Sequence, residues 1–195
     1  MIIFVVVVIA LVLGLVTVGR YIFGGNSSRA DTESINNARD EFLTVNADRS
    51  VVMTIRGPIV GDDQFRSESI AVSPSERTYT IYKGYRDEIK SQSSLDNNTP
   101  AYEEFVYALD KAAITKPGKY TSDQASDLRG VCASGDVYEY ALYDGDNRLQ
   151  WYWTSTCKGS PGTLGASSAQ LTELFSAQMP NVKLLYGSSG NRLSL

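Results

Sequence analysis

The 195-residue chain contains no histidine. That absence removes the commonest general base near neutral pH and the commonest metal ligand. Ser-His-Asp and Cys-His hydrolytic centres are excluded, as are zinc sites built on histidine. Cysteine is almost as scarce. The two residues, Cys132 and Cys157, are too few for a four-cysteine zinc site or a cysteine-ligated iron–sulfur cluster within one chain. There is no Lys/Arg cluster, and 18 basic against 22 acidic residues leave a net charge of −4. Nucleic acid is therefore not an expected partner. No cofactor or metal is implied, and internal repeats and long charge runs are also missing.

Charge is absent from the start of the chain, where no charged side chain precedes Arg20. Ile2 to Val18 is an almost unbroken apolar run whose helix would have no polar face. A run of about 17–25 such residues crosses the ~30 Å hydrocarbon core of a bilayer, so residues 1–23 are expected to form a transmembrane anchor in the lipid bilayer. A cleaved secretory signal would carry a charged leading region, a shorter apolar stretch and a small-x-small site just beyond it. Here the one such site, Ser28-Arg29-Ala30, lies well past the apolar run. Arg20 and Tyr21 fit the membrane interface, with the arginine reaching back to the headgroups, and Gly24-Gly25 ends the helix.

Orientation is contested within the sequence. Arg20 and Arg29 follow the apolar run, and positive charge usually marks the cytoplasmic side. Against this, Asp31 and Glu33 accompany the two arginines, the leading flank is only the terminal amine, and the downstream domain carries both cysteines. The expectation is a single-pass protein of the cell membrane with its C-terminal domain outside the cytoplasm.

Beyond the anchor, residues 24–49 are expected to be a tether and a short stalk helix. Gly24 to Ala30 is rich in Gly, Ser and Asn, and Ile35, Ala38, Phe42 and Val45 recur at near-helical spacing. Residues 50–187 have the length of one globular domain, and 188–195 that of a flexible tail. Val51 to Arg56, Glu68 to Ser73 and Thr78 to Lys83 alternate as strands of a meander, with Tyr79, Ile81 and Lys83 on one face and Thr78, Thr80 and Tyr82 on the other. Thr99 as cap and Pro100 at the first helical position start a helix to about Ala113, buried along Tyr102, Phe105, Val106, Leu109 and Ala113. Glu103 and Glu104, adjacent on that helix, diverge by about 100° and cannot converge on one substrate atom.

The stretch from Asp136 to Thr156 reads as a hairpin, Val137 to Tyr143 and Arg148 to Thr154 around Asp144-Gly145-Asp146-Asn147. With those four residues as the loop, Leu142 pairs with Leu149, Tyr140 with Trp151 and Tyr138 with Trp153, all on one face. A two-residue Asp144-Gly145 turn shifts the partners by two but keeps the face. Tyr138, Tyr140, Trp151 and Trp153 thus become a candidate ligand-binding platform, with Glu139, Arg148 and Tyr152 behind it; the alternative is that the stripe is core. Cys132 and Cys157 obey the same parity, which predicts a disulfide across the hairpin base and an oxidising compartment. The Gly-rich Lys158 to Ala166 lacks the Lys-Ser/Thr ending of a phosphate loop and reads as a loop before a helix capped near Ser167 or Ser168, which buries Leu171, Leu174 and Phe175 and stops at Pro180. Val182 to Tyr186 is expected to be a last strand. The order βββ-α-ββ-α-β is that of an α+β domain with helices packed on a mainly antiparallel sheet.

Three segments together, Val-Met-Thr-Ile-Arg-Gly-Pro (Val52 to Pro58), Asn-Asn-Thr-Pro-Ala-Tyr (Asn97 to Tyr102) and Trp-Thr-Ser-Thr-Cys (Trp153 to Cys157), resemble single-pass membrane-anchored proteins of reduced-genome, Saccharibacteria-like candidate-phylum bacteria. That resemblance implies a bacterial surface setting and no site residue. The expected role is a binding or structural module that touches an envelope polymer or another surface protein. A pilin-like filament subunit is one alternative, although the apolar run lacks an early glutamate. A carboxylate-dependent envelope enzyme drawing on Asp62, Asp63 and Glu139 is the other.

Overall fold

A computed structural model describes residues 27–118 and 127–186. The apolar run, Arg20, Tyr21, Gly24-Gly25 and the 188–195 tail lie outside the described residues. No helix among the described residues is long and apolar enough to cross a membrane.

The chain divides into two units, one ending at Asn37 and one from Ala38 onward. Helix α1 (Ser27–Leu43) takes in Ser27 to Ala30, which composition assigned to the tether. From Ala38 on, an antiparallel six-stranded sheet forms from β1 (Arg49–Arg56), β2 (Arg66–Val72), β3 (Glu76–Lys83), β4 (Glu88–Asp96), β5 (Val137–Asp144) and β6 (Asn147–Ser155), with helices α2 (Thr99–Lys111) and α3 (Ser168–Gln178) between and after. The strand order is β4-β3-β2-β1-β5-β6, so the domain is α+β.

Alternation in the strands separates the two faces. Val51, Met53 and Ile55 of β1, Ile70 and Val72 of β2, Tyr79 of β3 and Tyr138, Tyr140 and Leu142 of β5 join Tyr102, Phe105, Val106 and Leu109 of α2 and Leu171 and Phe175 of α3 in the main core. Phe175 sits at its centre, edge-on to Phe105 at 5.1 Å and tilted against Tyr140 at 6.1 Å. The opposite face is rich in hydroxyls: Ser69 bonds Tyr82, and Gln92 donates to Thr80. The second half of α1 is tied to this unit by burial of Phe42 and by Arg39, which forks onto both Asp110 oxygens at 2.6 and 2.7 Å.

Four sequence expectations are corrected. Strand β4 was not anticipated, because Glu88–Asp96 is polar on both faces. It is an edge strand exposed almost throughout, so no hydrophobic alternation marks it. Val182 to Tyr186 is not a strand; Leu185 and Tyr186 turn their backbone N–H groups to the Glu68 carboxylate instead of to a ladder. The cap of α2 is Asn98, whose side chain accepts from the Ala101 N–H at 3.0 Å, which moves Thr99 into the helix and Pro100 to its second position. The helix stops at Lys111, and Ala112, not Ala113, lies in the core, since Ala113 takes a left-handed φ of 59°. Asn98→Ala is expected to lower stability by about 1 kcal/mol in urea melts, whereas Thr99→Ala stays within about 0.5 kcal/mol. Equal effects would return the cap to Thr99.

Candidate functional site

The hairpin register decides where the predicted site residues go. Asp144 pairs with Asn147 and Tyr143 with Arg148 across a two-residue turn, in which Gly145 adopts φ 54°. The register then slips: Leu142 faces Gln150, and Leu149 is the extra residue of a bulge in β6. Every later residue of β6 therefore points to the face opposite the one that an unbroken ladder would give it. Tyr140 lies across from Tyr152 and Ala141 from Trp151, so Tyr138 and Tyr140 enter the main core while Trp151 and Trp153 stand on the helix-free face.

The single four-aromatic face expected from the sequence is therefore split. Tyr138 and Tyr140 are 7% and 1% exposed. Burial, with help from the Asp136 and Glu68 carboxylates, pushes the Tyr138 hydroxyl up to about 12. Trp153 is 4% exposed and packs with Val137 and Cys132 in a second, smaller core. Only Trp151 is half-buried and faces open space. Glu139, which unbroken pairing would put behind the platform, shares its face with Trp151.

Cys132 and Cys157 lie at disulfide distance, with Sγ atoms 2.11 Å apart and Cα atoms 5.4 Å apart. The pairing agrees with expectation, but the reason differs. Cys132 is not in a strand; it occupies a turn with φ 52° that brings the segment 127–135 back over the helix-free face. Here Leu128, Val131 and Trp151 pack around Cys132, Val137 and Trp153. The Gly-rich segment after Cys157 lines the free edge of β6: Leu164 N donates to Trp153 O at 2.9 Å, and Thr163 Oγ1 accepts from Trp153 N at 3.0 Å. A Cβ on Gly162 would lie 2.1 Å from Trp153 O, so only glycine permits that approach.

Between the 127–131 segment and the end of the sheet lies a cleft of about 440 Å³, within the ~300–1,000 Å³ of small-ligand sites. A row of side chains from three neighbouring strands forms its floor. Arg56 Nε of β1 donates to Glu139 Oε1 of β5 at 2.6 Å, Trp151 Nε1 of β6 donates to Glu139 Oε2 at 3.1 Å, and the Arg148 guanidinium lies 4.8 Å over the Trp151 ring. Burial alone would lower the Arg56 pKa, but the Glu139 carboxylate outweighs it and holds the guanidinium charged. Asp127 at the rim is closed on by Arg129, whose bonds hold its carboxyl down to about 2.

Tyr85, in the turn between β3 and β4, also lines the cleft. Its ring stacks on buried Phe65 at 4.1 Å and 17°, and its hydroxyl accepts from Val60 N at 3.1 Å and donates to Val60 O at 2.8 Å. The residue is 45% exposed, which leaves the outer ring face bare. Arg56, Phe65, Tyr85 and Arg129 were not flagged by the sequence. The alternation that sets Arg56 on the wet face of β1 was one available signal; the meeting of Tyr85 with Phe65, 20 positions away, left none.

Other candidates separate. Asp62 and Asp63 line a different depression with Lys83, Arg86 and Glu88, so they do not share a cavity with Glu139. Among the described residues no group of three or more His, Cys, Asp or Glu is placed to hold a metal ion. No protein-family model matches this chain, and no curated protein matches it.

Proposed function

We propose that this chain is a binding module of the cell envelope, held by its N-terminal apolar run at the outer face of a membrane and taking its ligand in the cleft over the helix-free side of the sheet. One observation carries the reading. One cleft is lined by an aromatic ring whose hydroxyl is fixed, Tyr85, and by three arginines, Arg56, Arg148 and Arg129, in a chain whose net charge is −4. A rigid aromatic with its polar tip satisfied adds contact area at little entropic cost. The cysteine pair at disulfide distance supports an oxidising compartment. The two carboxylates of the cleft, Glu139 and Asp127, are each held by an arginine of their own, an arrangement suited to positioning guanidinium groups.

A photoreactive amino acid in place of Ile59, an exposed residue of the cleft, tests this on living cells expressing the full chain. An adduct with envelope material that disappears when Tyr85→Ala is added supports the reading. No adduct, or a domain that added protease digests only after permeabilisation, overturns it.

A further inference from the structure

We infer that the cleft recognises a carboxylated pyranose, the acidic sugar unit of a glycan; this rests on the binding-module reading above. Charge sets the first requirement. Three arginines and two carboxylates line the cleft, and both Glu139 oxygens are already engaged by Arg56 and Trp151. Beyond Glu139, the Asp87 carboxylate in the turn between β3 and β4 also acts on Arg56, whereas among the described residues no hydrogen bond engages Arg148, whose guanidinium lies over the Trp151 ring. The residues that line the cleft carry one more positive than negative charge, with Asp87 acting on Arg56 from outside the lining, and the Arg148 guanidinium presents parallel N–H donors in the geometry a carboxylate accepts.

The second requirement is the shape of Tyr85. Phe65 covers one face of its ring, Val60 holds its hydroxyl at both N and O, and the other face is open. A flat, fixed aromatic surface beside cations fits the C–H face of a pyranose ring whose carboxylate projects from the rim.

An acidic peptide is the weaker match. The floor strands β1 and β5 are paired on both sides, and residues 163 and 164 meet the outer edge of β6 at Trp153. β1 and β5 therefore present side chains to the cleft and no free strand edge for a peptide backbone to extend.

The experiment is calorimetric titration of the full chain in detergent micelles with trigalacturonate, its neutral counterpart trigalactose, and triglutamate. Trigalacturonate is expected to bind at least about tenfold more tightly than trigalactose, and to weaken about tenfold in Arg148→Gln and again in Tyr85→Ala. Raised salt should weaken it further. Arg148 lies on the surface, so its variant folds even if the Tyr85 variant does not. Equal affinity for trigalactose, or no binding of trigalacturonate, overturns the inference. Triglutamate binding as tightly as trigalacturonate also overturns it, while leaving the cleft a binding site; the cross-linking at residue 59 judges that reading separately.

Discussion

Replacing Glu68 with alanine is expected to cost on the order of 3–5 kcal/mol and to free the end of the domain. Glu68 is 1% exposed, and its carboxylate accepts from Tyr79 Oη at 2.6 Å, Leu185 N at 2.9 Å and Tyr186 N at 2.8 Å. Alanine would leave one buried donor, the Tyr79 hydroxyl, and two part-buried backbone N–H groups without this acceptor, at about 1–3 kcal/mol for the buried one and less for those water can reach. The segment 182–186 has no strand partner, so these bonds and the packing of Val182, Leu184 and Tyr186 hold it down. Urea melts and limited proteolysis check both effects. A loss under about 1 kcal/mol with the segment still protected would mean that packing alone secures it.

The pH dependence at the same residue has a definite sign. Burial raises the Glu68 pKa above the ordinary carboxylate range despite three donors that favour the charge. The folded protein thus binds this proton more tightly than the unfolded chain does. Glu68 therefore favours folding most strongly below the unfolded carboxylate pKa, and that contribution is lost as pH rises through the folded value. The stability gap between the native protein and Glu68→Gln should narrow as pH rises from about 4 toward 8. A gap that widens would show that the carboxyl is depressed.

Breaking the Cys132–Cys157 link is the second large effect. It closes a loop of sequence separation 25, and constraint of the unfolded chain by a loop of that length contributes about 3 kcal/mol in the chain-entropy model. Locally the effect is greater than the average suggests, because the small core of Cys132, Val137 and Trp153 has few other members. Leu128, Arg129, Gly130 and Val131 form one wall of the cleft, so reduction should weaken ligand binding as well as stability. Denaturant melts with and without reductant, together with a gain of two protons by mass on reduction, test this. Coincident melts would show that the link adds nothing.

Element types were largely legible because they depend on nearest neighbours in sequence. The stripe Tyr102, Phe105, Val106 and Leu109 repeats at helical spacing and is buried as that spacing requires. The hairpin turn within Asp144 to Asn147 and the β-branched run of β1 are equally local. Strand β4 escaped notice because an edge strand buries little and so has no apolar alternation. Val182 to Tyr186 misled because apolar residues at alternate positions satisfy a core without entering a sheet when a buried carboxylate captures their N–H groups.

By itself the sequence determined the chemistry that is impossible without histidine, the helices, most strands and the one pairing open to two cysteines, since composition and short-range periodicity suffice for each. Only the tertiary structure decided which aromatics meet. The bulge at Leu149 inserts one residue into a ladder of period two and so moves Trp151 and Trp153 to the other face. The alternation of residue types in β6 carries no mark of such a slip, because a period of two reads the same on either side of it. The cleft likewise exists only once β1, β5 and β6 lie side by side and set Arg56 against Glu139, 83 positions apart.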